Sequence, residues 1–502
     1  MERTKRYALY AVLLPADMFL RFLNNHYELF RWFIVHVPGW VFEHWGRLNF
    51  RRAFLHAKAT VPAYQMFLSD SQSSGSGGSE FDVPAIDKEN YVRVFDTATR
   101  AVDGRIPFRD TVVDESSGSS GAAYNWVRSL EERQVSHRLV SHFAHYCLGT
   151  SNVFSINAFS MGAWATGLNM GLALQHNGLV KNVGPDIDKI LGTLEFWGPD
   201  YTYVICGYPP FLKHLLDVAV QQRFPIDRYR LHAIVGGEGM SEGLRDYLLR
   251  HVKTVFSGYG ATDLEIGIAG ETPLSIAIRR AARDNPALRE QLFGADPRLP
   301  MLFQFNPVTH YIQTNADGEI IVTINRLNIL SPRVRYNIHD EGGVRSFAEV
   351  SAICAEYAPD YKTIFDDSKS LPKLPFLWVF GRKDYTISVM GANIYPEDIE
   401  QCIYADDQLA SRTASYCLGL LETNGSVRPE FSFEVDGEIT VDLIDRFETS
   451  IVQHLLNLNS DFKEAWHEYR ETVSPKISLY QRGQGPFAYD SQRIKQVRMM
   501  PR

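Results

Sequence analysis

Ser257-Gly258-Tyr259-Gly260-Ala261-Thr262-Asp263 follows an apolar run and gathers an aromatic face, a hydroxyl and a carboxylate into one short turn. Those are the groups needed to stack on a purine and to hold a phosphate-bound magnesium ion. Taken alone, the same seven residues also describe a tight turn with an N-capping Asp.

Reading outward, short β-branched runs precede the turn: Val153-Phe154-Ser155-Ile156, Tyr203-Val204-Ile205 and His232-Ala233-Ile234-Val235. Helical stretches at Pro210–Gln222 and Ser241–His251 separate them. The alternation predicts an α/β fold of layered helices and largely parallel sheets. Beyond the turn, Asp317-Gly318 between Thr309–Ile312 and Glu319–Thr323 predicts a hairpin. A boundary near 380 divides a large part, residues 1–380, from a small α+β part, residues 381–502. The small part should open with a strand-turn-strand and a helix beginning at Pro396, then close on a βαβ-like tail.

Residues 1–68 read as mostly helical and amphipathic, a helical start packed on the body; contact with a membrane surface is the lesser alternative. The N-terminal apolar run, broken by Asp17 and Arg21, is too short to span a bilayer. Ser69–Ser79 is of low complexity and predicts a mobile surface loop.

With 45% apolar and 22% charged residues, the 502-residue chain has an ordinary globular composition and the length of two or more domains. A net charge of -8 supplies no basic field for nucleic acid. Five cysteines without a C-x-x-C pair suggest free buried thiols in a reducing cytosol, hence a cytoplasmic location.

Four further segments carry groups with chemistry. In Asp114-Glu115-Ser116-Ser117-Gly118-Ser119-Ser120-Gly121, two glycines amid hydroxyls can turn backbone N–H groups inward on an anion, or form a plain linker. Val235-Gly236-Gly237-Glu238-Gly239 is a glycine turn at a strand's carboxyl end, a plain strand-to-helix turn when taken alone or a place where a ring or phosphate can approach the backbone. Asp340, before Gly342-Gly343, suits a ribose diol or a surface ion pair. Gly381-Arg382-Lys383-Asp384-Tyr385 and Gly391–Glu400 read as an interdomain junction followed by a hairpin and helix.

In their order and spacing these five segments resemble the adenylate-forming superfamily of acyl-CoA synthetases, luciferases and nonribosomal peptide adenylation domains. The nearest resemblance is to its phenylacetate–CoA ligase-like branch, over nearly the whole chain from Arg51 onward. It implies a large N-terminal adenylate-forming domain, a small mobile C-terminal domain, and use of ATP, Mg2+ and coenzyme A. By resemblance, Ser116, Ser117, Gly118, Ser119, Ser120 and Gly121 hold the β- and γ-phosphates. Gly237 and Glu238 border the adenine, Tyr259 and Gly260 form its stacking turn, Thr262 meets the α-phosphate, and Asp263 stands at the metal position. Asp340 takes the ribose hydroxyls with support from Arg382. Asp384 matches the hinge and Gly391 the thiol tunnel. Lys495 matches the catalytic lysine, with Lys476 as second choice. The acid pocket would include Phe159, Trp164, Gly207 and Tyr208.

Three departures stand out. The phosphate loop continues as Ala122-Ala123-Tyr124 where the family often has proline and lysine, so its cation must come from elsewhere or be absent. Asp263 replaces a glutamate, its shorter reach calling for a water or for help from Glu265. The hinge reads Lys383-Asp384-Tyr385 rather than a double acid. The implied activity is an AMP-forming acid–thiol ligase acting on a small carboxylic acid, aryl or arylacetic before fatty. Loading of an acyl carrier protein or an amine, and a non-catalytic nucleotide- or partner-binding homologue, are the alternatives. A homodimer is open.

Overall fold

The computed structural model describes all residues except Met1, 73–82, 116–123, 163–164, Pro297, 359–370, 383–386, Gly391, 424–425, 489–497 and 501–502. The chain divides into two compact units. One comprises Met1–Gly184, Phe256–Gly294 and Leu299–Gly381; the other comprises Pro185–Val255, Ala295–Arg298 and Arg382–Arg502.

The first unit begins with four helices, Glu2–Asn24, Tyr27–His36, Gly39–Thr60 and Pro62–Gln72. The last takes in Ser69–Gln72, so the Ser/Gly-rich stretch expected as loop starts helical, its residues continuing the register set from Pro62. A bidentate pair between Arg52 and Asp17, with Nη2 donating to Oδ1 at 2.8 Å, ties the first helix to the third.

Strands His310–Thr314, Glu319–Ile324, Tyr336–Arg345, Phe376–Arg382, Met301–Gln304, Ala269–Gly270 and Val255–Tyr259 neighbour one another in that order. The hairpin around Asp317-Gly318 forms as the sequence dictates, pairing His310 with Ile324. Gly318 sits at φ +78°, a left-handed conformation that glycine adopts without steric cost. Much of this sheet is antiparallel. Parallel pairing, expected to predominate, is found for Val153–Asn157 with Gly178–Asn182 in this unit. Connection length explains part of this: a short turn lets His310–Thr314 pair antiparallel with Glu319–Ile324, whereas parallel neighbours need a crossover such as helix Ala165–Leu174.

Helices Pro273–Asp284, Pro286–Phe293 and Phe347–Tyr357 cover Leu302 and Phe376. Leu274, Ile278 and Ala282 recur at four-residue spacing and are all buried, the pattern of a core-facing stripe. Each fully buried Leu or Ile of this kind contributes roughly 1.5–3 kcal/mol. Thr272 and Ser346 start two of the helices with reciprocal capping boxes.

In the second unit, Thr202–Gly207 and Arg230–Gly236 pair in parallel. Pro185–Val255, read from sequence as part of the large N-terminal domain, groups with the C-terminal residues. The reason lies in its polar contacts: Lys213 Nζ donates to the Thr413 carbonyl at 2.9 Å, and Ser241 N to Glu400 Oε2 at 2.8 Å. Thr413–Thr423 and Ser426–Val435 form a hairpin, and Lys476–Gln481 adds in parallel after helices Val441–Leu458 and Ser460–Val473. Phe431 and Phe433 of the strand and Phe447 and Phe462 of the helices are fully buried in one core. Pro396 occupies the first turn of helix Pro396–Tyr404. All five cysteines are free and buried.

Candidate active site

Strand Val255–Tyr259 delivers its last side chain to the start of a tight turn. Gly260 is needed there, because a Cβ would lie 2.4 Å from the Ile266 carbonyl oxygen. Ala261 N donates to Glu265 O and Leu264 N to Ala261 O, closing the turn. Tyr259 stacks on Phe303, with ring centroids 5.6 Å apart at 25°. Its hydroxyl donates to Asp340 Oδ2 at 2.7 Å, joining two residues 81 positions apart. Asp340 lies on strand Tyr336–Arg345, directly after His339, which is held at φ +60°. Two of the predicted nucleotide-binding residues therefore meet.

Thr262 and Asp263 hang on buried arginines. Arg128 Nη2 donates to the Thr262 carbonyl, and Arg333 Nε to the Asp263 carbonyl at 3.0 Å. Arg333 is buried over the Trp126 ring, 4.7 Å from its centroid; burial, with Arg128 nearby, lowers its pKa to about 10. The Asp263 carboxylate accepts from the Tyr336 hydroxyl at 2.9 Å and pairs with Lys88 Nζ at 3.1 Å, both at Oδ2. Burial, reinforced by that carboxylate, pushes the Tyr336 hydroxyl well up, so it stays a donor.

Among the described residues no hydrogen bond reaches Asp263 Oδ1, which stays open to a cation. No group of three or more His, Cys, Asp or Glu capable of holding a metal occurs among them either. One carboxylate oxygen is the contribution magnesium asks of a protein when phosphates and water complete its shell, so the residues fit the ion. Help from Glu265 is ruled out. Its carboxylate is fully engaged by Arg326 and by His310 Nε2, the latter at 2.9 Å.

Behind the turn lies a buried polar cluster that sequence reasoning missed. Asp114 accepts from Arg128 Nε at 3.0 Å, Asn169 Oδ1 accepts from Arg133 Nε at 2.7 Å, and Glu132 Oε2 accepts from Leu330 N at 2.6 Å. These groups line a small cavity beside Thr262. A charged residue directly after the apolar pair Trp126-Val127, on a short strand, was the available signal. The cluster also fixes the hairpin Thr111–Glu115 with Asn125–Ser129, whose last pair is Glu115 with Asn125. Ser116–Gly121 springs from that pair and lies outside the described residues.

In the second unit, Gly237 and Tyr208 meet: at φ +85°, a Cβ on Gly237 would lie 2.6 Å from Tyr208 Cε1. Gly207 ends strand Thr202–Gly207, and Tyr208 precedes helix Pro209–Gln221. Phe159, in the first unit, is buried. Lys476 pairs with Glu430 Oε1 at 3.1 Å. Arg382 ends its strand. Trp164, Asp384, Gly391 and Lys495 lie outside the described residues.

No family pattern matches the chain. No curated protein matches it. Among solved structures, it is similar to 2-hydroxyisobutyryl-CoA ligase in the postadenylation state with R3-HIB-AMP, at TM-score 0.65 and 11% identity, covering 93% of this chain and 91% of that one. A second structure of that ligase, an open conformation with 2-HIB-AMP and CoA, matches at TM-score 0.51 and 12% identity, with 91% of each chain covered. At these identities the likeness is one of fold: the chain shares the fold of that CoA ligase.

Proposed function

We propose that this chain uses ATP to activate a carboxylic acid as its acyl-adenylate and then transfers the acyl group to a thiol, coenzyme A foremost. The observation that carries the reading is the meeting of Tyr259 and Asp340. A purine stacked on the Tyr259 ring would bring its ribose to Asp340, whose carboxylate accepts from the diol. The likeness to a ligase whose structures hold an acyl-adenylate and CoA supports the same sequence of steps.

In the first half-reaction a carboxylate oxygen attacks the α-phosphorus, the bond to the bridging oxygen breaks, and pyrophosphate leaves. In the second, the thiol sulfur attacks the acyl carbon, AMP leaves, and the thiol proton passes to solvent. Ser116–Gly121 would bind the β- and γ-phosphates, Gly237 and Glu238 would border the adenine, and Arg382 would support the ribose. Asp263 Oδ1 would hold magnesium, which when bound offsets phosphate charge. Lys495 would meet the attacking carboxylate and the α-phosphate beside Thr262. Asp384 would be the hinge between half-reactions and Gly391 would line the thiol channel. Phe159, Trp164, Gly207 and Tyr208 would receive the acid, favouring an aryl or arylacetic acid as in the phenylacetate–CoA ligase-like branch.

Lys88 answers the missing lysine of the phosphate loop. It begins the short helix Lys88–Val92, and its ammonium pairs with Asp263, one residue from Thr262, which would meet the α-phosphate. Charge aimed where the transferring phosphate develops its own is worth about 10²–10³ in rate when removed from a dry site. At Lys88, whose side chain is about one-quarter exposed, solvent screening lowers that to roughly tenfold. Lys88→Met should cut acid-dependent pyrophosphate release by that factor, with Lys88→Arg recovering part of it. Equal rates for wild type and Lys88→Met would remove the role.

Asp340→Asn should raise the KM for ATP by roughly 10–100-fold, the equivalent of losing a charge-assisted hydrogen bond of about 1.5–3 kcal/mol, with a smaller change in kcat. The reading itself is tested by a panel of acids with ATP, scored for pyrophosphate release and hydroxamate trapping, and then with CoA for thioester mass. Hydroxamate without thioester would point to a carrier protein or an amine. No hydroxamate with any acid would leave a nucleotide- or partner-binding homologue.

A further inference from the structure

The first helix, Glu2–Asn24, turns an apolar face to solvent. Leu14, Met18 and Phe22, spaced four residues apart on one face, are 58%, 65% and 50% exposed. The opposite face is the one committed to the protein, with Leu13 and Leu23 buried and Asp17 tied to Arg52. Nearby helices present Leu29, Trp32 and Trp40, the two tryptophans 57% and 69% exposed. Phe19 meets Phe33 edge-on and Tyr27 stacks face to face on His145, so this helical start is held in place while its stripe stays uncovered.

Charge identifies the partner. Residues 1–60 carry nine Lys and Arg against four Asp and Glu, whereas the remaining chain carries 42 against 55. Arg3, Lys5 and Arg6 open the very helix that bears the stripe. An isologous contact between two copies would set this basic segment against itself, which like charges disfavour. An anionic lipid surface offers the complement: headgroups for the basic residues, acyl chains for Leu14, Met18 and Phe22, and an interface suited to tryptophan. No described helix is long and apolar enough to cross a bilayer, so the contact is with the surface.

We infer that the N-terminal helices dock the chain on an anionic membrane surface through the Leu14–Met18–Phe22 stripe and its basic flank. This inference is independent of the reaction proposed above. The full chain should float with phosphatidylcholine–phosphatidylglycerol vesicles, remain behind with phosphatidylcholine alone, and release partly at high salt. Met18→Ser with Phe22→Ser should weaken vesicle binding roughly tenfold or more, without altering the circular dichroism spectrum, because neither side chain is buried. The charge variant Arg3→Glu, Lys5→Glu, Arg6→Glu should do the same through the other half of the interaction, and serves if the first variant misfolds. Three results would overturn the inference: no flotation with anionic vesicles, flotation that both variants leave unchanged, or a wild-type dimer that Met18→Ser with Phe22→Ser converts to monomer without any vesicle binding.

Discussion

Lys495→Ala should lower acyl-adenylate formation by about 10²–10³-fold while leaving thioester formation from supplied acyl-AMP largely intact. The expectation follows from the charges that must meet. A carboxylate attacking the α-phosphorus approaches a group that is itself anionic, and at 4 Å two like charges repel by about 4 kcal/mol at an effective dielectric of 20. A lysine touching both oxygens turns that repulsion into attraction, and only in the first half-reaction, since no phosphate transfer occurs in the second. Lys476 provides the control. Its ammonium already pairs with Glu430 on an adjacent strand, so Lys476→Ala should change adenylation by no more than a few-fold. Pyrophosphate exchange and single-turnover acyl transfer separate the two steps. Equal loss of both half-reactions in Lys495→Ala would remove the assignment.

The parts of this molecule that were legible in the sequence share one property: their role is set by local chemistry. Asp317-Gly318 announces a hairpin because a turn needs a residue tolerant of positive φ, and Pro396 announces a helix start because its missing N–H costs nothing there. The turn at Tyr259–Asp263 was readable because its glycines, hydroxyl and carboxylate follow an apolar run, and Gly260 does pass close under the Ile266 carbonyl. What escaped the sequence was set by distance along the chain. Lys88 lies 175 positions before the carboxylate it pairs with, and Asn169 lies 55 after Asp114. Nothing local distinguishes such residues from solvated polar surface. The N-terminal stripe was half legible: periodicity disclosed an amphipathic helix, but only the packing shows that Leu14, Met18 and Phe22 are on the uncovered side. The grouping of Pro185–Val255 with the C-terminal residues was likewise invisible, because it rests on contacts such as Lys213 with Thr413.

Glu265→Gln should destabilise the protein by about 3–5 kcal/mol, the loss expected when a buried ion pair is broken by removing one partner. Glu265 is buried and serves two partners at once, with Arg326 at one oxygen and His310 at the other. Arg326 has two further buried nitrogens, Nε and Nη1, that find no hydrogen-bond partner among the described residues, so an amide at position 265 removes the carboxylate that faces a poorly satisfied guanidinium. Burial by itself would push the Glu265 carboxyl up, but Arg326 and then His310 outweigh it, and the group is held at about 2 instead of its ordinary 4.5. A carboxyl held down in the folded state binds its proton more readily when unfolded. Its contribution is therefore fully present above pH 4.5 and is lost as pH falls towards 2. Urea unfolding of wild type and variant across that window should show the gap between them closing with acid. A gap independent of pH would mean that shape, rather than charge, explains the loss. The consequence for the site is direct. Glu265 ends the same turn that presents Thr262 and Asp263, and Ala261 N donates to its carbonyl. Loosening Glu265 should therefore lower adenylation at temperatures where the variant is still folded, because groups that must oppose developing charge act through fixed placement.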